Sequence, residues 1–275
     1  FEMDVYEIIK TIGSGSFGQV YLARHKREGK HYVIKRVKTR DMSQKDLENT
    51  ENEVRLLQKI RHSNIVAYKD SYVDHEQFLN IVMVYCDGGD IYSKIKSSKG
   101  KNYSEDQILS WLVQIALALF YLHERKILHR DMKTQNIFLK NGTIRLGDFG
   151  IAKVLDSTKD FAQTCIGTPY YMSPELFKNQ DYSYKSDIWS LGCVLYEMCN
   201  LRHAFDAHTI NGLAVKILRG SFPPINQIYS KQLRDLIGKM LQIKPSNRPT
   251  IVDILNKSFV RKRVTSYINE CLNGQ

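Results

Sequence analysis

The chain has 275 residues, 43% hydrophobic and 25% charged, the composition of an ordinary globular protein with apolar content for one large core or two smaller ones. Forty Lys and Arg against 29 Asp and Glu leave a formal charge of +11, which reads as a solvated basic surface rather than a dedicated nucleic-acid or membrane face. The cysteines Cys86, Cys165, Cys193, Cys199 and Cys271 are odd in number, widely spaced and never Cys-x-x-Cys, so they read as reduced thiols of a cytosolic or nuclear protein rather than a disulfide framework.

The amino terminus starts at Phe1 rather than Met, as a fragment of a longer protein would, and lacks the charged-then-apolar order of a signal peptide. From Tyr6 to Val37, apolar residues alternate with polar ones around a glycine cluster and a basic turn at Gly29, which predicts a short antiparallel meander. Ser43 and Asp46 resemble a capping box opening a helix that turns Leu47, Val54, Leu57 and Ile60 to a core. A strand is predicted at Ile81 to Tyr85, and Asp87-Gly88-Gly89-Asp90 breaks the chain there. Ser104 and Gln107 form a second cap signature before a long amphipathic helix carrying Ile108, Leu112, Ile115, Leu119 and Leu122. Asn141-Gly142, flanked by Ile137 to Leu139 and Ile144 to Leu146, predicts a two-residue hairpin. Ile188 to Leu201 is apolar nearly all round and predicts a central buried helix, and Leu233, Leu236, Ile237, Met240 and Leu241 mark another. No apolar run is expected to reach the roughly 20 residues that cross a bilayer.

Gly13-Ser14-Gly15-Ser16-Phe17-Gly18-Gln19-Val20 fits Gly-x-Gly-x-x-Gly-x-Val between two strands, a context that argues against a dinucleotide fold. Its glycines let backbone N–H groups approach phosphate, although an ordinary glycine hairpin has the same composition. On the third strand, period two puts Val33, Lys35 and Val37 on one face. A lysine on an apolar face wants an anionic partner, and Glu53 is the candidate, with Glu51 its competitor on another helical face. His129-Arg130-Asp131-Met132-Lys133-Thr134-Gln135-Asn136 is followed by Asp148-Phe149-Gly150.

The order and spacing of these four motifs resemble those of the protein kinase superfamily, with Ser173-Pro174-Glu175, Asp187 to Gly192 and Arg248 as later landmarks, so that the likeness covers nearly the whole chain. The resemblance implies an α+β, two-lobed fold: an N-lobe of antiparallel strands and one main helix over 1–83, a hinge at 84–88 and a mostly helical C-lobe over 89–275. It implies that Asp131 accepts the proton of the substrate hydroxyl, that Lys133 neutralises the phosphoryl group in transfer, and that Asn136 and Asp148 hold Mg2+, with Mn2+ as a substitute. Lys35, braced by Glu53, would reach two phosphates of ATP under the loop Ile12, Gly13, Ser14, Gly15, Ser16, Phe17, Gly18, Gln19 and Val20. Val20, Val33 and Phe138 would sandwich adenine, Val84, Tyr85 and Cys86 would offer hinge backbone groups, and Met83 would stand as gatekeeper. Asp90 would meet the ribose or cap the following helix. Lys133 and Thr168 follow the pattern of enzymes acting on serine or threonine, and Glu175 with Arg248 would form a buried structural pair.

Tyr32-Val33-Ile34-Lys35, Tyr85 to Asp90, Ile127 to Asp131, Leu146 to Ala152 and above all Cys165 to Glu175 resemble the NIMA-related kinases, including valine at 33 and serine at 173. That branch acts in mitosis, centrosome and microtubule organisation and cilia, which implies cytoplasm, nucleus or centrosome and basal body as locations. Its members carry coiled-coil tails, so a dimeric or coiled-coil partner is expected through segments outside this sequence. The partners implied are ATP and proteins with Ser or Thr acceptors, with neither nucleic acid nor membrane. The β-branched Ile151 favours threonine as acceptor, and Thr164 is the expected activating phosphorylation site, with Arg130 as a cation for its phosphate. The alternative is a kinase-shaped scaffold that binds nucleotide without turnover, which loss of Lys35, Asp131 or Asp148 would have favoured; all three are present.

Overall fold

The computed structural model describes residues 5–15, 18–40, 42–148 and 169–273. Ser16, Phe17 and the segment 149–168, with Phe149, Ile151, Thr164 and Thr168, lie outside the described residues, as do the side chains of Asp46, Asn49 and Glu53.

Alternation drives the first sheet. Strands β1 (Tyr6–Gly15), β2 (Gly18–His25), β3 (His31–Lys38), β4 (Tyr68–Val73) and β5 (Phe78–Val84) form an antiparallel sheet in the order β1-β2-β3-β5-β4. Tyr32 and Ile34 join Tyr6, Ala23 and Val82 in a small core on one face. Directly opposed residues share a face, and Val20 opposes Lys35 while Val33 opposes Met83. The other face therefore carries Val20, Val33, Lys35 and Met83 together. Strand β4, Tyr-Lys-Asp-Ser-Tyr-Val, was not foreseen; it pairs on one side only, and its charged, half-exposed residues suit a sheet edge.

Helix α1 (Gln44–Lys59) starts directly after Ser43 and buries Val54 and Leu57. Beyond β5, Asp90 caps α2 (Ile91–Ser97), and Ser104 caps α3 (Glu105–Glu124), where its hydroxyl accepts the Gln107 N–H at 3.2 Å. Helix α3 corrects one expectation, since by length and composition it could cross a bilayer. It serves here as a core helix, with Ile108, Leu112, Ile115 and Leu119 fully buried, so truncating one such leucine to alanine would cost about 2–5 kcal/mol. Strands β6 (Ile137–Lys140) and β7 (Thr143–Leu146) form the foreseen hairpin, in which Asn141 and Gly142 both take positive φ, 51° and 76°, as a type I′ turn demands.

The C-lobe continues with α4 (Pro174–Phe177), α5 (Tyr184–Asn200), α6 (Ile210–Arg219), α7 (Lys231–Met240), α8 (Ile251–Leu255) and α9 (Ser258–Asn273). A capping box between Ser183 and Ser186 starts α5, which is then buried from Ser186 to Cys199. The loop after α1 joins the two lobes: Leu146 N–H donates to the Asn64 carbonyl at 2.8 Å and Val66 N–H to the Leu146 carbonyl at 2.9 Å.

Candidate active site

Strand β3 and the end of β7 bring two distant charges together. Lys35 Nζ lies 2.7 Å from Asp148 Oδ1, with the side chains 21% and 28% exposed. Lys35 projects from the apolar face beside Val20 and Ile81, where an unpaired ammonium would be costly. The Asp148 carboxylate thus satisfies it here; the bracing role assigned to Glu53 lies outside the described residues. Gly147 lets this segment pass close to β6, because a Cβ there would meet the Phe138 ring at 2.7 Å.

A second cluster forms where α3 gives way to β6. Asp131 Oδ2 accepts from Lys133 Nζ at 2.8 Å and from Asn136 Nδ2 at 2.8 Å, and the same amide donates to the Asp131 carbonyl at 2.8 Å. Among the described residues, the bonds to this carboxylate fall on Oδ2 rather than Oδ1. With its nitrogen committed to Asp131, the Asn136 amide has its oxygen to offer a cation. Among the described residues, Asp148 is bonded through Oδ1, to Lys35. These are hard oxygen donors of the type Mg2+ takes. Among the described residues no group of three or more His, Cys, Asp or Glu could hold a metal, so a bound ion would complete its shell with phosphate and water, as Mg2+ commonly does.

The strand of backbone that carries Asp131 is fixed by groups the sequence reading left without a role. Asp187, in the first turn of α5, is fully buried, and burial alone would raise its pKa. Its Oδ1 accepts from Arg130 N–H at 3.1 Å and Tyr182 Oη at 2.6 Å. Its Oδ2 accepts from His129 N–H at 3.0 Å and pairs with His123 Nε2 at 2.8 Å. These bonds and the two histidines outweigh desolvation, so the carboxyl stays below its usual range. His129 Nδ1 accepts from Asp131 N–H at 3.2 Å, which puts its proton on Nε2 for donation to the Gly147 carbonyl at 3.1 Å. Burial lowers its pKa, so the ring is neutral at pH 7. The available signal for Asp187 was an acidic residue at the head of an otherwise apolar helix.

Other predicted residues fall as follows. Asp90 does serve as a cap, accepting from Ser93 N–H at 2.7 Å and Ser93 Oγ at 2.9 Å. Phe138 and Gly88 flank the path from β5 into α2, where Gly88 N–H bonds to the Leu139 carbonyl at 2.9 Å. Arg248 is buried against Glu175, with Nη1–Oε1 and Nη2–Oε2 both 2.7 Å, a fork-to-fork pair.

The sequence matches the family described as Protein kinase domain over residues 6–260. It is 50% identical over 268 residues to serine/threonine-protein kinase Nek1 of Mus musculus, covering 97% of this chain and 22% of that protein. It is 49% identical to Nek5 of Homo sapiens, covering 97% of this chain and 38% of the relative, and 47% identical to Nek4 of Mus musculus, covering 96% and 33%. The chain thus spans between about a fifth and two fifths of the length of these relatives.

Proposed function

This chain belongs to the protein kinase domain family, and from that premise we propose that it moves the γ-phosphoryl group of ATP to serine or threonine of proteins in the manner of the Nek kinases it resembles. One observation supports this reading above the others. Lys133 and Asn136 converge on a single oxygen of Asp131, while Lys35 and Asp148 pair at 2.7 Å.

In this reading the other Asp131 oxygen takes the acceptor's proton, which aims the hydroxyl oxygen at phosphorus. Lys133 is held where negative charge builds on the transferred group, and Lys35 is held extended toward the nucleotide phosphates. Asn136 and Asp148 would hold Mg2+, or Mn2+ in its place, and the ion supplies charge neutralisation on phosphate oxygens when bound. Catalysis is then positioning and electrostatics, with no covalent intermediate on the enzyme. We further assign the N-lobe to 1–83, the hinge to 84–88 and the C-lobe to 89–275. Adenine would lie among Val20, Val33 and Phe138, beside Met83 and the backbone of Val84, Tyr85 and Cys86, with the glycine loop over the phosphates and Asp90 near the ribose. Thr168 would support Asp131 and Lys133, phosphate on Thr164 would switch the enzyme on, and Ile151 would favour threonine acceptors. Roles in mitosis, centrosomes or cilia, an intracellular location and coiled-coil partners follow from the Nek likeness.

The decisive experiment incubates the protein with labelled ATP, Mg2+ and a generic protein substrate, beside Lys35→Met and Asp131→Asn. Wild type should label the substrate, and each variant should lose orders of magnitude in rate at an unchanged melting temperature. Near-normal rate in either variant would refute its assigned role, and an inactive wild type, phosphorylated at Thr164, would favour a nucleotide-binding scaffold.

A further inference from the structure

Helix α9 runs past Val260, where the domain match ends, to Asn273. Val260 is fully buried, and Val264 and Tyr267 follow at i+4 and i+7 to lie half-buried against the C-lobe core. Packing explains this stripe but not the polar end of Tyr267. Its oxygen accepts from Asn64 Nδ2 at 3.0 Å, and its hydroxyl lies 3.4 Å from Asn64 Oδ1.

Asn64 is 1% exposed and holds β7 at two points. Its Nδ2 donates to the Ile144 carbonyl at 3.2 Å, and its own carbonyl accepts Leu146 N–H at 2.8 Å. Gln114 Oε1 strengthens the same grip by accepting Ile144 N–H at 2.8 Å, and it lies 3.2 Å from Asn64 Nδ2. Two amide hydrogens of Asn64 thus face three acceptors, on α3, β7 and α9. The Tyr267 hydroxyl therefore helps to set the plane of the amide. Two residues beyond Leu146 stands Asp148, and Gly147 N–H between them bonds to the Asn136 carbonyl at 2.9 Å.

We infer that Tyr267 is a positioning residue for Asp148, acting through Asn64 and β7, so that α9 sets the register of the residues offered to the metal and to Lys35. The inference rests on the proposed kinase function for its catalytic consequence, while its structural link stands without it.

Tyr267→Phe removes the hydroxyl and keeps the ring. The control is Arg263→Ala, which breaks the α9 contact from Arg263 Nη2 to Ser110 Oγ at 3.1 Å without touching Asn64. For both variants and wild type, hydrogen exchange is followed at the Leu146 and Gly147 amides, and kcat, peptide KM and the Mg2+ concentration for half-maximal rate are measured. Tyr267→Phe is expected to speed exchange at Leu146, lower kcat about fivefold, as loss of one hydrogen bond would, and raise the Mg2+ requirement at unchanged peptide KM. Arg263→Ala is expected to match wild type in all of these. Wild-type exchange and Mg2+ dependence in Tyr267→Phe would overturn the inference, as would equal effects in both variants, which would assign the change to helix docking in general. If wild type transfers no phosphate, the functional reading fails, and exchange at Leu146 alone decides the inference.

Discussion

Asp187→Asn tests the claim that a buried carboxylate holds the backbone leading to Asp131 in place. The substitution keeps size and shape but turns one oxygen into an NH2 group. If the remaining oxygen sits where Oδ1 was, it still accepts from Arg130 N–H and Tyr182 Oη. The NH2 group then faces His129 N–H, now at 3.0 Å from an oxygen, and one buried donor is left unsatisfied. The opposite flip orphans Arg130 N–H instead. An unsatisfied buried donor costs about 1–3 kcal/mol, and hydrogen bonds to a charged acceptor contribute about 1.5–3 kcal/mol against roughly 1 for neutral ones. The sum, with one surviving bond weakened from charged to neutral, is a loss of about 1.5–5 kcal/mol, or about 3–20 °C in melting temperature for a chain of this size.

The charge itself predicts a change in the acid limb. Because the folded-state pKa of Asp187 lies below its ordinary value, the unfolded chain binds the proton more readily. The stabilisation is therefore complete above the unfolded value near ~3.9 and is lost as pH falls through the folded one. Denaturant melts of wild type and Asp187→Asn from pH 7 down to about pH 3, with rates at pH 7, measure both effects. The stability gap should narrow toward the acid end, and the rate should fall with the displaced loop. A variant within about 0.5 kcal/mol of wild type with full activity would refute the reasoning, since surface substitutions alone reach that range.

Three further outcomes follow from particular contacts. Gly147→Ala would set a Cβ 2.7 Å from the Phe138 ring and 3.1 Å from Val66, so it should destabilise by about 1–3 kcal/mol and raise the KM for ATP through the displaced ring; an unchanged KM would disconnect Phe138 from the nucleotide. Glu175→Gln should cost about 3–5 kcal/mol because it leaves the fully buried Arg248 guanidinium without its counter-charge, as urea titration would measure; a neutral result would show that the carbonyls of Gln242, Lys185 and Ile243 suffice to hold it. Burial pushes the thiols of Cys86 and Cys199 up to about 11 and about 12, whereas Cys271 is exposed, so iodoacetamide at pH 8 should label Cys271 of the folded protein well before the other two; comparable labelling of Cys86 would contradict its burial.

Local features of the fold were legible where the chain writes them locally. Ser104 signals its helix because the cap bond spans three residues, and Asn141-Gly142 signals its hairpin because only certain residues take two successive positive φ angles. The nearly all-round apolar character of Ile188 to Leu201 foretold the buried α5. Strand β4 escaped because edge strands carry charge and lose the alternation by which strands are recognised. The membrane-length character of α3 was missed for the opposite reason: core helices and spanning helices share a composition. At the site, motif spacing named Asp131, Asn136, Lys35 and Asp148, but not that Lys35 would pair with Asp148, 113 residues away. Asn64 had no local signal, and Asp187 only that of an acidic residue heading an apolar helix, since their partners lie on other elements and periodicity reports burial, not partnership.

The two carboxylates proposed for the chemistry, Asp131 and Asp148, sit next to, or at, strained backbone. Arg130, beside Asp131, has φ of 66°, and Asp148 has φ of 53°. Left-handed backbone costs an L-residue roughly 1–2 kcal/mol, so each conformation persists only if its surroundings impose it. At Arg130 the imposing group is Asp187, which takes the N–H of that residue and of His129 before it. At Asp148 it is the preceding peptide, whose Gly147 carbonyl is held by His129 Nε2 and whose Gly147 N–H is held by Asn136. His129 belongs to both lists: its backbone answers to Asp187 and its neutral ring reaches the peptide next to Asp148. One buried residue of α5 therefore ties together the segments that carry Asp131 and Asp148. Displacing either segment strains the other, so Asp131 and Asp148 are held in register by the same small set of buried bonds.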